Sequence, residues 1–328
     1  MKTMLSGSLR NLLACLLACG VIPSQMAHAD DFPSRPIRII VPFAAGGASD
    51  KIARSLAVPL AETLKTSVFV ENKPGGGSII AMDFAAKAPA DGYTIIYTQT
   101  SVIQQPALKM KLPYDIFKDF VPLGQINEAP NVLVVSKQSN IKSVEELVQR
   151  AKADPKNFAF GSYGSGTSSH IQGESFNLQS GLSLSHVPYK GAGPLLLDLL
   201  GGQVNVGWVD VMTLQPYIKT GDLTPLAVTG TEPHRTLPGV HTMQSLGYKY
   251  MDVVGWQGLA VRSGTPQPIV DKLQAAVKTS LASKKMQDLL IQLGATPATI
   301  SAKEFSEKLR RDAATWKKLI DESKIEME

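Results

Sequence analysis

Apolar positions along the chain recur at two spacings. Ile37-Arg38-Ile39-Ile40-Val41 is a β-branched run of the kind that forms a buried strand. After a glycine-rich stretch, Ile52, Leu56, Leu60 and Leu64 recur every four residues, which predicts a helix over 49–64. Val68-Phe69-Val70 predicts a second strand, 79–88 a helix and, after the Asp91-Gly92 turn, 93–98 a third strand. This order implies parallel strands joined by right-handed crossovers. A second series starts at Val132-Leu133-Val134-Val135. Helices are expected over 144–153, 168–178 and 194–200, and strands over 158–160, 185–188, 204–208 and 226–229. A buried strand returns at 258–261. One or two amphipathic helices over 268–293 and a last helix over 303–323 follow.

Two alternating series and a late return predict an α/β protein with two lobes. Residues 32–127 plus 255–328 are expected to form one lobe and 128–254 the other, with crossings near 127–135 and 251–258. The length, 328 residues, agrees with two domains at roughly 150 residues each. There is no internal repeat and no low-complexity linker.

The first 29 residues have a different pattern. Lys2 and Arg10 precede an apolar stretch over 12–22, too short for a membrane span, which needs about 20 residues. Ala27-His28-Ala29 then gives a small-x-small cleavage site, so a signal peptide cut after Ala29 is expected. Both cysteines, Cys15 and Cys19, lie in that stretch. The chain beyond it therefore lacks disulfides, thiolate nucleophiles and cysteine-metal sites. Leu16-Leu17-Ala18-Cys19 resembles a lipoprotein cleavage box, with Leu17 a poor fit, and leaves anchoring at Cys19 as the alternative.

Hydrophobic residues make up 44% and charged residues 19%, enough apolar material for sizeable cores. The net charge of +5 comes without a basic cluster. The longest basic runs are the pairs Lys284-Lys285, Arg310-Arg311 and Lys317-Lys318, which argues against nucleic acid.

Three strand-to-helix junctions are rich in glycine and hydroxyls: P-F-A-A-G-G-A-S-D (42–50), P-G-G-G-S (74–78) and G-S-Y-G-S-G-T-S-S-H (161–170). Glycine admits close backbone approach, and a helix N-terminus offers unpaired amides and partial positive charge, so such loops can cradle an anion. In open α/β sheets the cradle lies at the carboxyl ends of the strands. No Lys or Arg lies within 42–50 or 161–170. An anion there would be held by amides and hydroxyls, with Ser165 and Thr167 the first side chains to test.

Other chemistries fit poorly. Ser169 stands where the third glycine of G-x-G-x-x-G belongs, and there is no P-loop and no G-x-S-x-G elbow. His170, His186, His234 and His241 contain no i, i+4 pair. His170, beside the third loop, is either a ligand contact or structural, and the other three read as structural. Asp50 and Ser49 are each read as a cap or as first-turn compensation of the helix dipole. Trp208 and Trp256 suit a pocket or a core equally, and Lys190 either attracts an anion or is simply exposed.

Several motifs, in this order, resemble the tripartite tricarboxylate transporter solute-binding proteins, the Bug family. They include P-S-R-P-I-R-I-I-V-P-F (33–43), G-G-A-S-D (46–50), V-E-N-K-P-G (70–75), A-D-G-Y-T (90–94) and the 161–170 loop. V-P-Y-K-G (187–191), L-L-G-G-Q-V (199–204), T-L-P-G-V (236–240) and G-T-P-Q-P-I-V-D-K-L (264–273) complete the set. The resemblance implies a type II-like periplasmic-binding-protein fold, two lobes of mostly parallel sheet flanked by helices, that closes on a small organic carboxylate. The ligand-binding residues it implies are Phe43, Ala44, Gly46, Ala48, Ser49 and Asp50 in the first loop. In the second they are Ser162, Gly164, Ser165, Gly166, Thr167 and His170, with Asp210 beyond the G-Q-V strand.

The resemblance further implies a periplasmic monomer without cofactor, metal or catalytic residue. It would deliver its ligand to membrane permease subunits of a tripartite tricarboxylate-type system. A ligand-sensing partner of a membrane sensor, or a secreted enzyme on the same fold, is the alternative. Three departures bear on the distal ligand contacts: Ile79 where the family often has asparagine, Trp208-Val209-Asp210 where it often has F-D-N, and Gln105-Pro106 in place of Asn-Pro. They lean toward a less polar or aromatic carboxylate.

Overall fold

A computed structural model describes residues 32–298, 300–322 and 325. The expected signal peptide, its cleavage point after Ala29, and Cys15 and Cys19 lie outside the described residues.

The first series runs β1 (Ile37–Val41), α1 (Ala48–Leu64), β2 (Val68–Asn72), α2 (Ile79–Lys87), β3 (Thr94–Gln99), α3 (Ser101–Ala107) and β4 (Phe120–Ala129). After Pro130 the second series runs β5 (Asn131–Ser136), α4 (Val144–Ala153), β6 (Ala159–Ser162), α5 (Ser168–Ser180) and β7 (Ser185–Pro188). It continues through α6 (Ala192–Leu200), β8 (Val206–Asp210), α7 (Val211–Lys219) and β9 (Leu223–Val228). The chain returns through β10 (Gly255–Arg262), α8 (Gln267–Leu281), α9 (Lys284–Gln292), β11 (Thr296–Pro297) and α10 (Ala302–Glu322).

Two separate sheets result, with strand orders β11-β4-β10-β3-β1-β2 and β7-β6-β8-β5-β9. In the first, β1 lies parallel between β2 and β3, Ile39 standing level with Val70 and Ile95. Ile37, Ile39, Ile40 and Val41 are all buried, as expected where helices cover both faces of a parallel strand. Each sheet also takes in a strand that runs against its neighbours: β10 against β3 and β4, and β5 against β8 and β9. These two strands carry the chain between the sheets. Neither is delivered by a crossover helix on its own sheet, and such a crossover is what parallel entry requires.

Each sheet has its own aromatic core. Trp256 of β10 meets Phe305 of α10 edge-on, ring centroids 5.1 Å apart, and Trp208 of β8 meets Phe176 of α5 at 6.0 Å. α1 turns Ile52, Leu56, Leu60 and Leu64 inward at the four-residue spacing. The long apolar stretch near the C-terminus forms two helices because Ser283 interrupts it. Its hydroxyl accepts from the Met286 amide and starts α9.

Candidate functional site

A cavity of about 40 Å³ opens at the carboxyl ends of the parallel strands. That exceeds the roughly 10–15 Å³ needed by one water, so there is room for a small ligand group. The first sheet contributes Gln99 to Ser101 after β3, Asn127 and Ala129 of β4, and Gly255 to Gln257 of β10. Because β10 is reversed, its first residues lie beside the last residues of β3 and β4. The loop after β1 adds Phe43 and Gly47 to Asp50. The second sheet and its helices add Asn131, Tyr163, Ser168, Ala192, Asp210 and Met212. Among these residues the only charged ones are the two acids Asp50 and Asp210.

The loop after β1 is fixed by an ion pair. Asp50 Oδ1 accepts from Arg54 Nε and Asn72 Nδ2, both at 3.0 Å, and Oδ2 accepts from the Gly46 amide at 3.2 Å. Asn72 Nδ2 also donates to the Phe43 carbonyl. Burial alone would raise the Asp50 pKa. The hydrogen bonds from Arg54, Asn72 and Gly46, with the Arg54 charge, outweigh it and hold this carboxyl below its ordinary value.

The loop after β6 is fixed without an ion pair across it. Ser162 Oγ accepts from the Gly164 amide at 3.2 Å and bonds His186 Nε2 at 2.6 Å. Thr167 Oγ1 donates to the Gly164 carbonyl at 2.6 Å, and His170 Nδ1 accepts from the Gly166 amide at 3.2 Å. The imidazoles of His170 and His186 stack at 4.1 Å, and Phe160 stacks on the far side of His186 at 4.9 Å. Burial lowers the His170 pKa to about 4 and, with the neighbouring His170, that of His186 to about 3, so both rings are neutral near pH 7.

His170, Glu174 and His186 bring ligand-type atoms within 4.8 Å of one another. The hydrogen bonding does not suit a metal ion there. The Gly166 amide occupies the Nδ1 lone pair of His170, which places the ring proton on Nε2, the nitrogen nearest Glu174 at 3.7 Å. The nearly parallel rings, 22° apart, also set their in-plane lone pairs side by side instead of converging.

Four helices place their first turns at the cavity, and they differ in how they begin. α1, α5 and α6 start at Gly47, Thr167 and Gly191, none of which caps its helix through a side chain. α7 starts at Asp210, whose Oδ1 accepts from the Thr213 amide at 2.9 Å and Oδ2 from the Thr213 hydroxyl at 3.0 Å. Burial raises the Asp210 pKa, and the Thr213 bonds oppose the rise. The two sides of the cavity also touch directly. The Ala44 amide donates to the Lys190 carbonyl at 3.0 Å, Gln104 Nε2 to Ser168 Oγ at 2.8 Å, and Gly77 lies against Gly164 and Ser165.

Of the residues singled out in the sequence, Phe43, Ala48, Ser49, Asp50 and Asp210 line the cavity. Ala44, Gly46, Ser162, Gly164, Ser165, Gly166, Thr167 and His170 belong to the two loops but are not among the residues lining the cavity. The Thr167 hydroxyl is engaged within its own loop, and that of Ser162 by the Gly164 amide and by His186 of β7. Trp256 lines the cavity with its body in the first core, whereas Trp208 is buried in the second. Of the three departures from the family pattern, only Asp210 lines the cavity, while Ile79, Val209 and Gln105 do not. Val209 is buried, Ile79 packs on the first core, and Gln105 ties the 74–78 loop through a 2.8 Å bond to the Gly77 carbonyl.

Sequence reasoning missed Gln99, Asn127, Asn131, Tyr163 and Gln257. Asn127 and Tyr97 both donate to Gln257 Oε1, while Gln257 Nε2 donates to Ser49 Oγ at 3.1 Å. A usable signal was present: amides set inside otherwise apolar strands, where a buried polar group needs a partner.

Two lobes of mixed sheet with a polar cavity at the strand ends define a periplasmic-binding-protein fold. The chain belongs to the tripartite tricarboxylate transporter family receptors, whose family model matches residues 52–325. The structure of the periplasmic binding protein BugD superposes with a TM-score of 0.87 at 33% identity, covering 90% of this chain and 100% of BugD. An R. palustris protein solved with adipate gives 0.85 at 31%, covering 90% and 99%. MatC from Rhodopseudomonas palustris, with bound malate, gives 0.84 at 29%, covering 88% and 100%. These relatives are solute-binding proteins. Among the described residues no helix is long and apolar enough to cross a membrane.

Proposed function

We propose that this protein is exported, captures a small organic carboxylate between its two lobes, and delivers it to the permease subunits of a tripartite tricarboxylate-type transporter. The observation that carries the reading is the set of helices α1, α5 and α6, which start at the cavity without side-chain caps. Their first-turn amides and the positive ends of their dipoles favour a carboxylate without help from lysine or arginine. Relatives with bound adipate and malate support the ligand class. In this reading 32–127 plus 255–328 forms one lobe and 128–254 the other, and the protein acts as a monomer.

Native mass spectrometry of protein purified without refolding is expected to find a retained small carboxylate, released on denaturation. Calorimetry should then give micromolar or tighter affinity for that compound, about −8 kcal/mol. Retention of a neutral or purely cationic compound in its place would overturn the reading. N-terminal sequencing of the exported protein is expected to begin at Asp30, and a diacylated Cys19 would contradict cleavage after Ala29.

A further inference from the structure

The motif T-L-P-G-V (236–240) takes no part in the cavity, yet its first residue and the two before it join the two sheets a third time. The chain itself passes between the sheets twice. It crosses at Pro130 between β4 and β5, and again between Met251, in the second core, and Gly255 at the start of β10. Two such crossings define an axis about which the two bodies can still rotate. A contact lying off that axis opposes the rotation.

This contact sets side chains of one body against backbone carbonyls of the other. Arg235 Nη2 donates to the Ile291 carbonyl at 3.1 Å and to the Ala295 carbonyl at 2.9 Å. His234 Nε2 bonds the Gly294 carbonyl at 2.9 Å. A carbonyl only accepts, so the ring proton is on Nε2, and Nδ1 accepts from the Thr236 hydroxyl at 2.9 Å. Gln215 Nε2 of α7 donates in turn to Thr236 Oγ1. The three carbonyls lie at the C-terminus of α9, where the negative end of a helix dipole favours a cation such as Arg235. There is little slack: a Cβ on Gly294 would stand 3.4 Å from both His234 Cε1 and Thr236 Oγ1.

Strand order places the contact on the far side of the crossings from the cavity. Residues 291–295 lead into β11, which flanks β4 on the side away from β10, β3 and β1. Residues 234–236 follow β9, which flanks β5 on the side away from β8 and β6. None of these residues lines the cavity. α7 links the two regions: Met212 in its first turn lines the cavity, and Gln215, about one turn on, holds Thr236. A rotation that parts the Ala44 amide from the Lys190 carbonyl at the cavity therefore also shifts 291–295 against His234 and Arg235.

We propose that Arg235 and His234 are positioning residues for ligand capture: without touching the ligand, they lock the two lobes, from behind the crossing strands, in the arrangement that grips it. This rests on the two-lobe carboxylate reading above. A contact made in the gripping arrangement favours it over every arrangement in which the contact is broken.

The sequence beyond residue 29 contains no cysteine. Spin labels placed on the exported protein at Val58→Cys of α1 and Leu197→Cys of α6, both exposed positions, therefore report the distance between lobes. Without added ligand, pulsed electron paramagnetic resonance should give a broader distance distribution in Arg235→Ala and in His234→Ala than in the labelled parent. Arg235→Lys, which keeps a cation and a donor, should recover part of the difference. Calorimetry with malate, adipate and butyrate supplies the second readout. The tightest-binding of the three should bind Arg235→Ala weaker by about fivefold or more. Loss of a helix cap alone would lower stability and leave the distances unchanged, so unchanged distances in both alanine variants overturn the proposal. Broader distances with unchanged affinity overturn the role in capture. If none of the three acids binds the wild-type protein, the carboxylate reading falls and the role in capture with it, while the label distances still decide whether the contact locks the lobes.

Discussion

The loop after β1 and the loop after β6 face each other across the cavity with similar glycine- and hydroxyl-rich sequences, yet different forces shape them. The first is fixed by the Asp50–Arg54 pair and by Asn72, with Arg54 half exposed. The second is fixed by neutral groups, the Ser162–His186 bond, the Thr167–Gly164 bond and the stacked His170 and His186. A similar loop shape is thus reached by charge on one side and by a buried uncharged network on the other. Because the fastenings differ, acid and substitution should undo the two loops separately.

The largest effect is expected where the two sides touch. A Cβ on Gly77 would stand 2.1 Å from the Ser165 carbonyl oxygen, which is backbone and cannot rotate away. Gly77→Ala should therefore hold the lobes apart and lower ligand affinity by about 100-fold, equivalent to ~2.7 kcal/mol. The left-handed backbone at Gly77, φ +59°, adds a folding cost of about 1–2 kcal/mol. Affinity by calorimetry and stability by denaturant unfolding separate the two. An affinity within threefold of wild type would show that this contact plays no part in closure.

Removing the charged fastening comes next. Asp50→Ala frees the Gly46 amide, Asn72 and Arg54 together. Since Arg54 can return to water, the cost should be about 2 kcal/mol, below the range for a fully buried pair. Guanidinium unfolding checks this, and a loss under 0.5 kcal/mol would mean that the ion pair does not shape the loop.

Acid distinguishes the loops most directly. His170 and His186 have folded pKa values of about 4 and 3, below their ordinary 6.5. The folded state then binds fewer protons than the unfolded chain. Their contribution is present above pH 6.5 and is lost as pH falls from there toward 4. Asp50, lowered from 3.8, contributes above that value and is lost only below it. Between pH 7 and 5 the second loop should therefore weaken while the first holds. The expected loss is on the order of 4 kcal/mol, about 2 from each histidine. It should be largely absent in a His170→Gln, His186→Gln double variant, and an equal slope in both proteins would sink the assignment.

The parts of the fold legible in the sequence were those where one local force dominates. The strand Ile37–Val41 and the four-residue spacing of α1 could be read because burial demands apolar residues at a fixed period. β4 was missed because its Gln125 and Asn127 are buried yet polar, and the partner that satisfies Asn127, Gln257, is invisible along the chain. The reversal of β5 and β10 is likewise a tertiary fact. In the site, the glycine loops stood out by residue type, and Asp210 only through the family resemblance. The pairing of His170 with His186, sixteen positions on, depends on β6 and β7 lying side by side in register. Which hydroxyls turn toward the cavity was also beyond reach, since Thr167 finds its partner inside its own loop and Ser162 bonds the Gly164 amide and His186 of β7.

Thr167 therefore offers the smallest and most discriminating test. Its side chain is fully buried and donates to the Gly164 carbonyl, so it acts on the loop and does not reach the cavity. Thr167→Val keeps the volume and removes that donor, while the Thr167 amide still bonds the same carbonyl at 3.3 Å. Stability should fall by about 1 kcal/mol, and affinity by less than tenfold through a looser loop. Lys190 provides the contrast: its carbonyl accepts from the Ala44 amide across the cavity mouth, a bond that Lys190→Met retains. That variant should bind within twofold of wild type. If Lys190→Met weakened binding more than Thr167→Val, a side-chain cation would be attracting the ligand, and a cradle built from backbone amides would be the wrong description of the site.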